Sequence, residues 1–210
     1  MASQSDSTVY DLAYFADHGV GGALFPLTGL GAGDSCLYLD VLSPELQKEL
    51  FETLDAETEW NVMTHRGGPV PRLLSIQAEP REGNVFPLYR HPADEQPGTV
   101  PFTSTTAKCR DEVSRVLAAA EAPQHYFNHA LVQKYRSGAD NISEHADKTL
   151  DIARGTAIVN LSVGSTRVMI LRSKPDHPGT TAEHSKKQET TKKIVQKITL
   201  PPNSVFVLGW

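Results

Sequence analysis

His145 and Asp147, separated only by Ala146, bring an imidazole and a carboxylate close together along the chain. The two groups suit a borderline divalent metal, and on an extended segment side chains at i and i+2 leave the same side of the backbone. A helix would send them apart. The tripeptide alone decides little, because eight His and twelve Asp in 210 residues give about half of one such arrangement by chance. Its surroundings must decide. The two cysteines, Cys36 and Cys109, stand far apart and outside any Cys-x-x-Cys pair, so neither a disulfide framework nor a cysteine zinc site can be built from them. Both read as buried, inert thiols. His125 and His129 flank a strand and read as partly buried histidines.

The elements that must position this pair follow from pattern. Residues 1–42 mix Gly, Ser and Asp with short apolar pieces, which predicts a loop-rich N-terminal flank with a strand near Cys36 to Leu39. Ser43-Pro44-Glu45 is a helix start, a hydroxyl cap followed by a proline tolerated at the first helical position, and Leu46, Leu50, Phe51 and Leu54 then fall on one face. Recurrent prolines from Gly67 to Pro101 predict strands joined by long loops. A second helix is expected from Ser104 to Glu121, with Cys109, Val113, Val116, Leu117 and Ala120 inward and Pro123 as its stop. After Pro123 the period changes to two. Segments 126–135, 156–163, 166–172, 193–200 and 203–208 read as strands rich in Val, Ile, Leu and Thr, with a hydrophilic insertion at 173–192. Two helices followed by five strands predict an α+β domain with a sandwich or jelly roll as its C-terminal body.

The balance of 39% hydrophobic and 21% charged residues is globular and excludes wholesale disorder or a fibrous repeat. No apolar run has the roughly 18 residues needed to cross a bilayer, and the N-terminus lacks the basic and apolar regions of a signal peptide. The expectation is a soluble intracellular protein, nuclear or cytoplasmic, with no membrane association. The net charge of −5 argues against indiscriminate polyanion binding. That average hides a polarity: residues 1–164 carry 12 Lys and Arg against 22 Asp and Glu, whereas residues 165–197 carry 8 against 3. An anionic partner should meet the C-terminal third.

The residues around the His-Ala-Asp tripeptide form a longer pattern. Phe127-Asn-His-Ala-Leu-Val-Gln-Lys-Tyr-Arg-Ser-Gly138 leads into Asp140-Asn-Ile-Ser-Glu-His-Ala-Asp147, and Ala157-Ile-Val-Asn-Leu-Ser-Val-Gly-Ser-Thr-Arg-Val168 follows. This resembles the AlkB-like branch of the iron(II)/2-oxoglutarate dioxygenases, closely over about residues 126–172. A looser match runs from the Ser43 helix through Pro71-Arg72 and the second helix. The resemblance implies a double-stranded β-helix, or jelly roll, with supporting helices on one side, and a dioxygenase domain over residues 43–210. It implies Fe(II), 2-oxoglutarate and dioxygen, with His145 and Asp147 as two of three metal ligands and Tyr135 as a hydrogen-bond donor to the cosubstrate. Gln133 stands where the family usually has asparagine, a longer amide arm whose contact with 2-oxoglutarate would shift.

The implied reaction is oxidative N-dealkylation of alkylated DNA or RNA, with no protein partner. Arg72 would lie near a substrate lid or at the surface. Arg167, Arg172 and Lys174, with Lys186, Lys187, Lys192 and Lys193, would form a basic face for the nucleic acid. The same residues also suit a solvated loop, interrupted by Glu183 and Glu189. The family's second metal histidine and its 2-oxoglutarate arginine follow the segment resembling Asn203 to Leu208, whereas this sequence stops at Trp210, so a shortened chain lacking the C-terminal strands is expected. His177 and His184 are weak substitutes. A dioxygenase of proteins or small molecules, or a catalytically dead nucleic-acid-binding relative, would share these features.

Overall fold

The computed structural model describes residues 7–10, 27–87, 89, 96–120, 126–147, 152–173 and 194–209. In chain order its elements begin β1 (Ser7–Tyr10), β2 (Leu27–Leu30), β3 (Ser35–Leu39), α1 (Pro44–Glu57), β4 (Thr64–His65), β5 (Gly68–Pro69) and β6 (Leu73–Ala78). They continue with β7 (Thr99–Pro101), α2 (Ser104–Ala119), β8 (His129–Lys134), β9 (Ile158–Ser162), β10 (Arg167–Arg172), β11 (Val195–Leu200) and β12 (Ser204–Leu208). Contacts divide the chain into two units, residues 42–156 and residues 1–41 with 157–210. Among the described residues the structure is strand-rich with two helices, and no sheet closes into a barrel. No described helix is long and apolar enough to cross a membrane.

In the unit of residues 42–156, both helices start as their sequences require. The Ser43 hydroxyl accepts from the Leu46 N–H at 3.3 Å, and the Thr103 hydroxyl accepts from the Thr106 N–H at 3.1 Å, each satisfying an amide that the first turn leaves unpaired. On α1 Leu50 is buried, whereas Phe51 is 51% exposed. Phe51 was expected inward with Leu46, Leu50 and Leu54; adjacent helical residues lie about 100° apart, and with Leu50 at the centre of the buried stripe Phe51 turns outward. Helix α2 buries Thr105, Thr106, Cys109, Val113, Val116 and Leu117. Its end at Ala119 falls just short of the expected Glu121, which lies outside the described residues.

The three-stranded sheet of this unit has the order β7-β6-β8, with β6 parallel to β7 and antiparallel to β8. Met63, Leu74 and Ile76 form its buried cluster, and Val70, Tyr89 and Leu131 pack against them. Helices and sheet are tied together by polar groups as well. Gln77, fully buried on β6, accepts the Thr103 N–H at 3.2 Å, and Lys134 on β8 pairs with Asp55 on α1. Free Cys36 and Cys109 are both buried, as expected, and burial pushes the Cys109 thiol up to about 11.

The other unit is two packed sheets. One has the order β2-β3-β12-β9, all antiparallel; in the second, β11 lies between β10, antiparallel to it, and β1, parallel to it. Leu30, Leu37 and Phe206 from the first meet Ile198 and Leu200 from the second in one buried cluster. Interior faces of two sheets meeting in this way form a sandwich core. At the β2–β3 turn Gly31 has φ +63, which favours glycine, and donates its N–H to Gln196 at 2.7 Å; a Cβ there would come within 2.7 Å of the Ser35 hydroxyl, which would have to move. The segment read as a flank at 1–42 therefore supplies strands to this sheet, with Leu37 opposite Phe206. Gly31 and Gly33 mark the β2–β3 turn, whereas Gly19, Gly21 and Gly22 lie outside the described residues; local composition carries no information about a strand partner so far along the chain. The five strands expected after Pro123 appear as β8 to β12.

Candidate active site

The site is built on the edge of the β6–β8 pair and the loop that leaves it. The register sets Leu74 opposite Gln133 and Leu73 opposite Lys134, which places Arg72 at the entrance to β6 and Tyr135 one residue past the end of β8. Beyond Tyr135 the chain turns sharply. The Asp140 carboxylate accepts from the Arg136 backbone N–H and Nε–H at 2.8 Å and from Nη2–H at 3.0 Å. This closed turn, made by charge-assisted bonds, launches the segment that carries His145 and Asp147.

His145 and Asp147 lie in irregular backbone rather than on a strand, with side chains 48% and 42% exposed. The His145 Nδ1 lies 2.8 Å from the Ser143 carbonyl oxygen, which can only accept, so Nδ1 is the donor and Nε2 is the nitrogen turned outward. That Nε2 stands 3.3 Å from Asp147 Oδ1. With a proton on Nε2 the two form an ion pair; without it they are two electron-pair donors that a cation between them would satisfy. The donor set therefore fits a divalent metal bound by one nitrogen and one oxygen. Among the described residues no group of three His, Cys, Asp or Glu side chains forms around it. His177 and His184 lie outside the described residues.

Two residues expected to have separate roles are bonded to one another. Arg72 is buried, 7% exposed, and its Nε–H donates to Gln133 Oε1 at 2.6 Å, while its Nη1–H donates to the Asn141 carbonyl at 3.3 Å. Its reading as a surface residue is corrected by this burial: Arg72 enters the fold beside β6, and two of its donors are used on protein oxygens. The bond also fixes which end of the Gln133 amide is which, leaving the NH2 group as the donor end. Tyr135 is half-buried beside it.

Tyr89 was not anticipated. Its ring stacks on His129 with centroids 5.5 Å apart and an interplanar angle of 17°. Burial raises its phenol above the usual tyrosine range, and Asp147 raises it further while Arg72 opposes them, so the hydroxyl lies within electrostatic reach of both. Its only sequence signal was an aromatic within a proline-rich stretch. The histidine partner, the fourth residue of the segment 126–135 that reads as a strand, gave no hint of a ring contact.

In the other unit, Arg167 and Arg172 both lie on β10. Their odd spacing puts them on opposite faces: Arg167 is half-buried on the side of Met169 and Leu171, and Arg172 is exposed with Val168 and Ile170. They were expected on one basic face, which strand alternation forbids. Lys174, Lys186, Lys187, Lys192 and Lys193 lie outside the described residues.

Comparison with known proteins settles the lineage. A family profile described as the 2OG-Fe(II) oxygenase superfamily matches residues 34–210, nearly the whole chain. The chain belongs to the 2OG-Fe(II) oxygenase superfamily. Within this superfamily it is similar to the DNA oxidative demethylase ALKBH2 of Mus musculus, at 34% identity over 74 residues, 35% of this chain and 28% of that protein. The human and bovine proteins of the same name match at 32% over 74 residues, covering 26% and 24% of their lengths. The chain thus spans about a quarter of the curated relatives it matches. This oxygenase is an AlkB-like member.

Proposed function

We propose that this protein is an Fe(II)- and 2-oxoglutarate-dependent dioxygenase that oxidatively removes N-alkyl groups from nucleic acid, built on a double-stranded β-helix. The observation that carries the reading is the His145 Nε2 and Asp147 Oδ1 pair, 3.3 Å apart, with Nδ1 tied back to Ser143. Residues 34–210 match the oxygenase superfamily, and relatives named as DNA oxidative demethylases support the nucleic-acid substrate. Iron(II), when bound with 2-oxoglutarate and dioxygen, supplies the oxidation that hydroxylates an N-alkyl carbon.

The chain's own residues prepare that chemistry. The Ser143 carbonyl holds the His145 ring in the tautomer that presents Nε2, and the Asp147 carboxylate adds the negative charge a divalent ion needs. The Gln133 NH2 group and the Tyr135 hydroxyl are the candidates to orient a cosubstrate carboxylate. Tyr89, a flat ring within electrostatic reach of Asp147, is a candidate to position the alkylated base.

The test is succinate and formaldehyde release when the chain is supplied with Fe(II), 2-oxoglutarate and N-methylated oligonucleotides, set against methylated peptides and free nucleosides. The reading expects turnover dependent on the methylated oligonucleotide and on Asp147. Turnover stimulated only by peptides or nucleosides would move the substrate class. Salt-dependent oligonucleotide binding with no turnover would instead make the protein a non-catalytic relative.

A further inference from the structure

We propose that Arg72 is a positioning residue that braces the loop carrying His145 and Asp147 against the end of β8. The role of that loop rests on the dioxygenase reading above; the brace itself rests on geometry. Its Nε–H reaches Gln133 Oε1 at 2.6 Å and its Nη1–H reaches the Asn141 carbonyl at 3.3 Å. The clamp runs both ways, because the Asn141 N–H donates to the Pro71 carbonyl at 3.2 Å. One dipeptide, Pro71-Arg72, therefore holds a strand position and a loop position together.

The loop depends on such a hold. Residues 141–147 are all exposed and belong to no helix or strand, so their placement is set by how their base is fixed. The Arg136–Asp140 turn fixes one side of that base, and Arg72 fixes the other. Only a guanidinium can do this with one side chain. Its planar fork sends Nε–H and Nη–H to separate acceptors, whereas a lysine offers a single ammonium point. Burial strengthens the case: among the described residues no carboxylate pairs with Arg72, and a cation taken out of water against two neutral oxygens costs stability. A residue retained for stability alone would be better served by an apolar side chain. Gln133 also acquires a reason for its length, since its oxygen is used on Arg72 while its nitrogen stays available.

The experiment measures backbone 15N order parameters in the full chain and in its Arg72→Lys and Arg72→Met variants. Lysine keeps charge and stem and loses the fork, so it reports even if the methionine variant folds poorly. In the unaltered chain residues 141–147 are expected near the rigid value of about 0.85, and in both variants they fall below about 0.6 while β6 and β8 stay rigid. Unchanged order in 141–147, or equal loosening of β6 and β8, overturns the brace. A parallel Co(II) titration of the Arg72→Lys variant is expected to show affinity at least tenfold weaker than the unaltered chain. Failure of the unaltered chain to bind Co(II) overturns the dioxygenase reading instead, and the order parameters alone still decide Arg72.

Discussion

Nε2 of His145 faces Oδ1 of Asp147 across 3.3 Å, with the opposite ring nitrogen held by the Ser143 carbonyl. Two electron-pair donors in this arrangement converge on one point, and both belong to a surface-exposed loop rather than to the packed interior. Changes to them should therefore alter metal chemistry without altering folding.

Asp147→Asn keeps the size of the side chain and removes its charge. The expected result is a loss of Co(II) affinity of at least tenfold and no 2-oxoglutarate turnover. Unfolding free energy should stay within about 0.5 kcal/mol of the parent, as for other exposed positions. Metal titration and urea denaturation on the same preparation check both; undiminished Co(II) affinity would remove Asp147 from the ligand set.

Alkaline pH should destabilise the protein in a defined window. Burial lifts the Cys109 thiol to about 11 from its ordinary 9.0, so the folded state holds its proton where the unfolded state has lost it. The contribution is fully present below pH 9 and is lost as pH rises toward 11, for a total on the order of 3 kcal/mol. Tyr38, raised to about 12 chiefly by burial, extends the same trend to higher pH. Urea midpoints between pH 8 and 11 measure the effect, and Cys109→Ala should flatten the curve through its lower half.

Acid should act through a different group. Glu79 accepts from Tyr126 and pairs with Arg110, and these bonds, the tyrosine first, hold its carboxyl below the usual range. Its contribution is present above the ordinary value of 4.5 and disappears as pH falls through the lowered one. Glu79→Gln should therefore show a shallower loss of stability on acidification than the parent protein.

Thr103→Ala removes the cap of α2, whose hydroxyl takes the Thr106 N–H at 3.1 Å. A cost of about 1 kcal/mol is expected by urea denaturation. Leu74→Ala, at a fully buried position under the site sheet, should cost about 2–5 kcal/mol, and more of it the less the neighbours collapse.

Which parts of this structure could be read in advance follows from the range of the forces involved. Ser43-Pro44 and Thr103-Ser104 announce helices through bonds that close within three residues, and the period-two strands after Pro123 announce themselves through local burial. The His145–Asp147 juxtaposition is legible for the same reason. What was not legible depends on partners far away. Arg72 was read as lying near a substrate lid or at the surface, because nothing near it in sequence shows that Gln133 and Asn141 will supply its acceptors. Tyr89 needed His129. The separation of Arg167 from Arg172 is different: their odd spacing on a strand was visible, and counting parity would have divided them.

The pairing of Leu37 with Phe206 has a consequence for synthesis. The β2–β3 hairpin is synthesised before residues 42–156, whereas β12, the other neighbour of β3, is synthesised after them. Until β12 is made, β3 has β2 along one side and an open backbone edge along the other. The nascent hairpin thus offers one unpaired edge to other chains until its β12 partner is made, and protection during translation is needed along that edge.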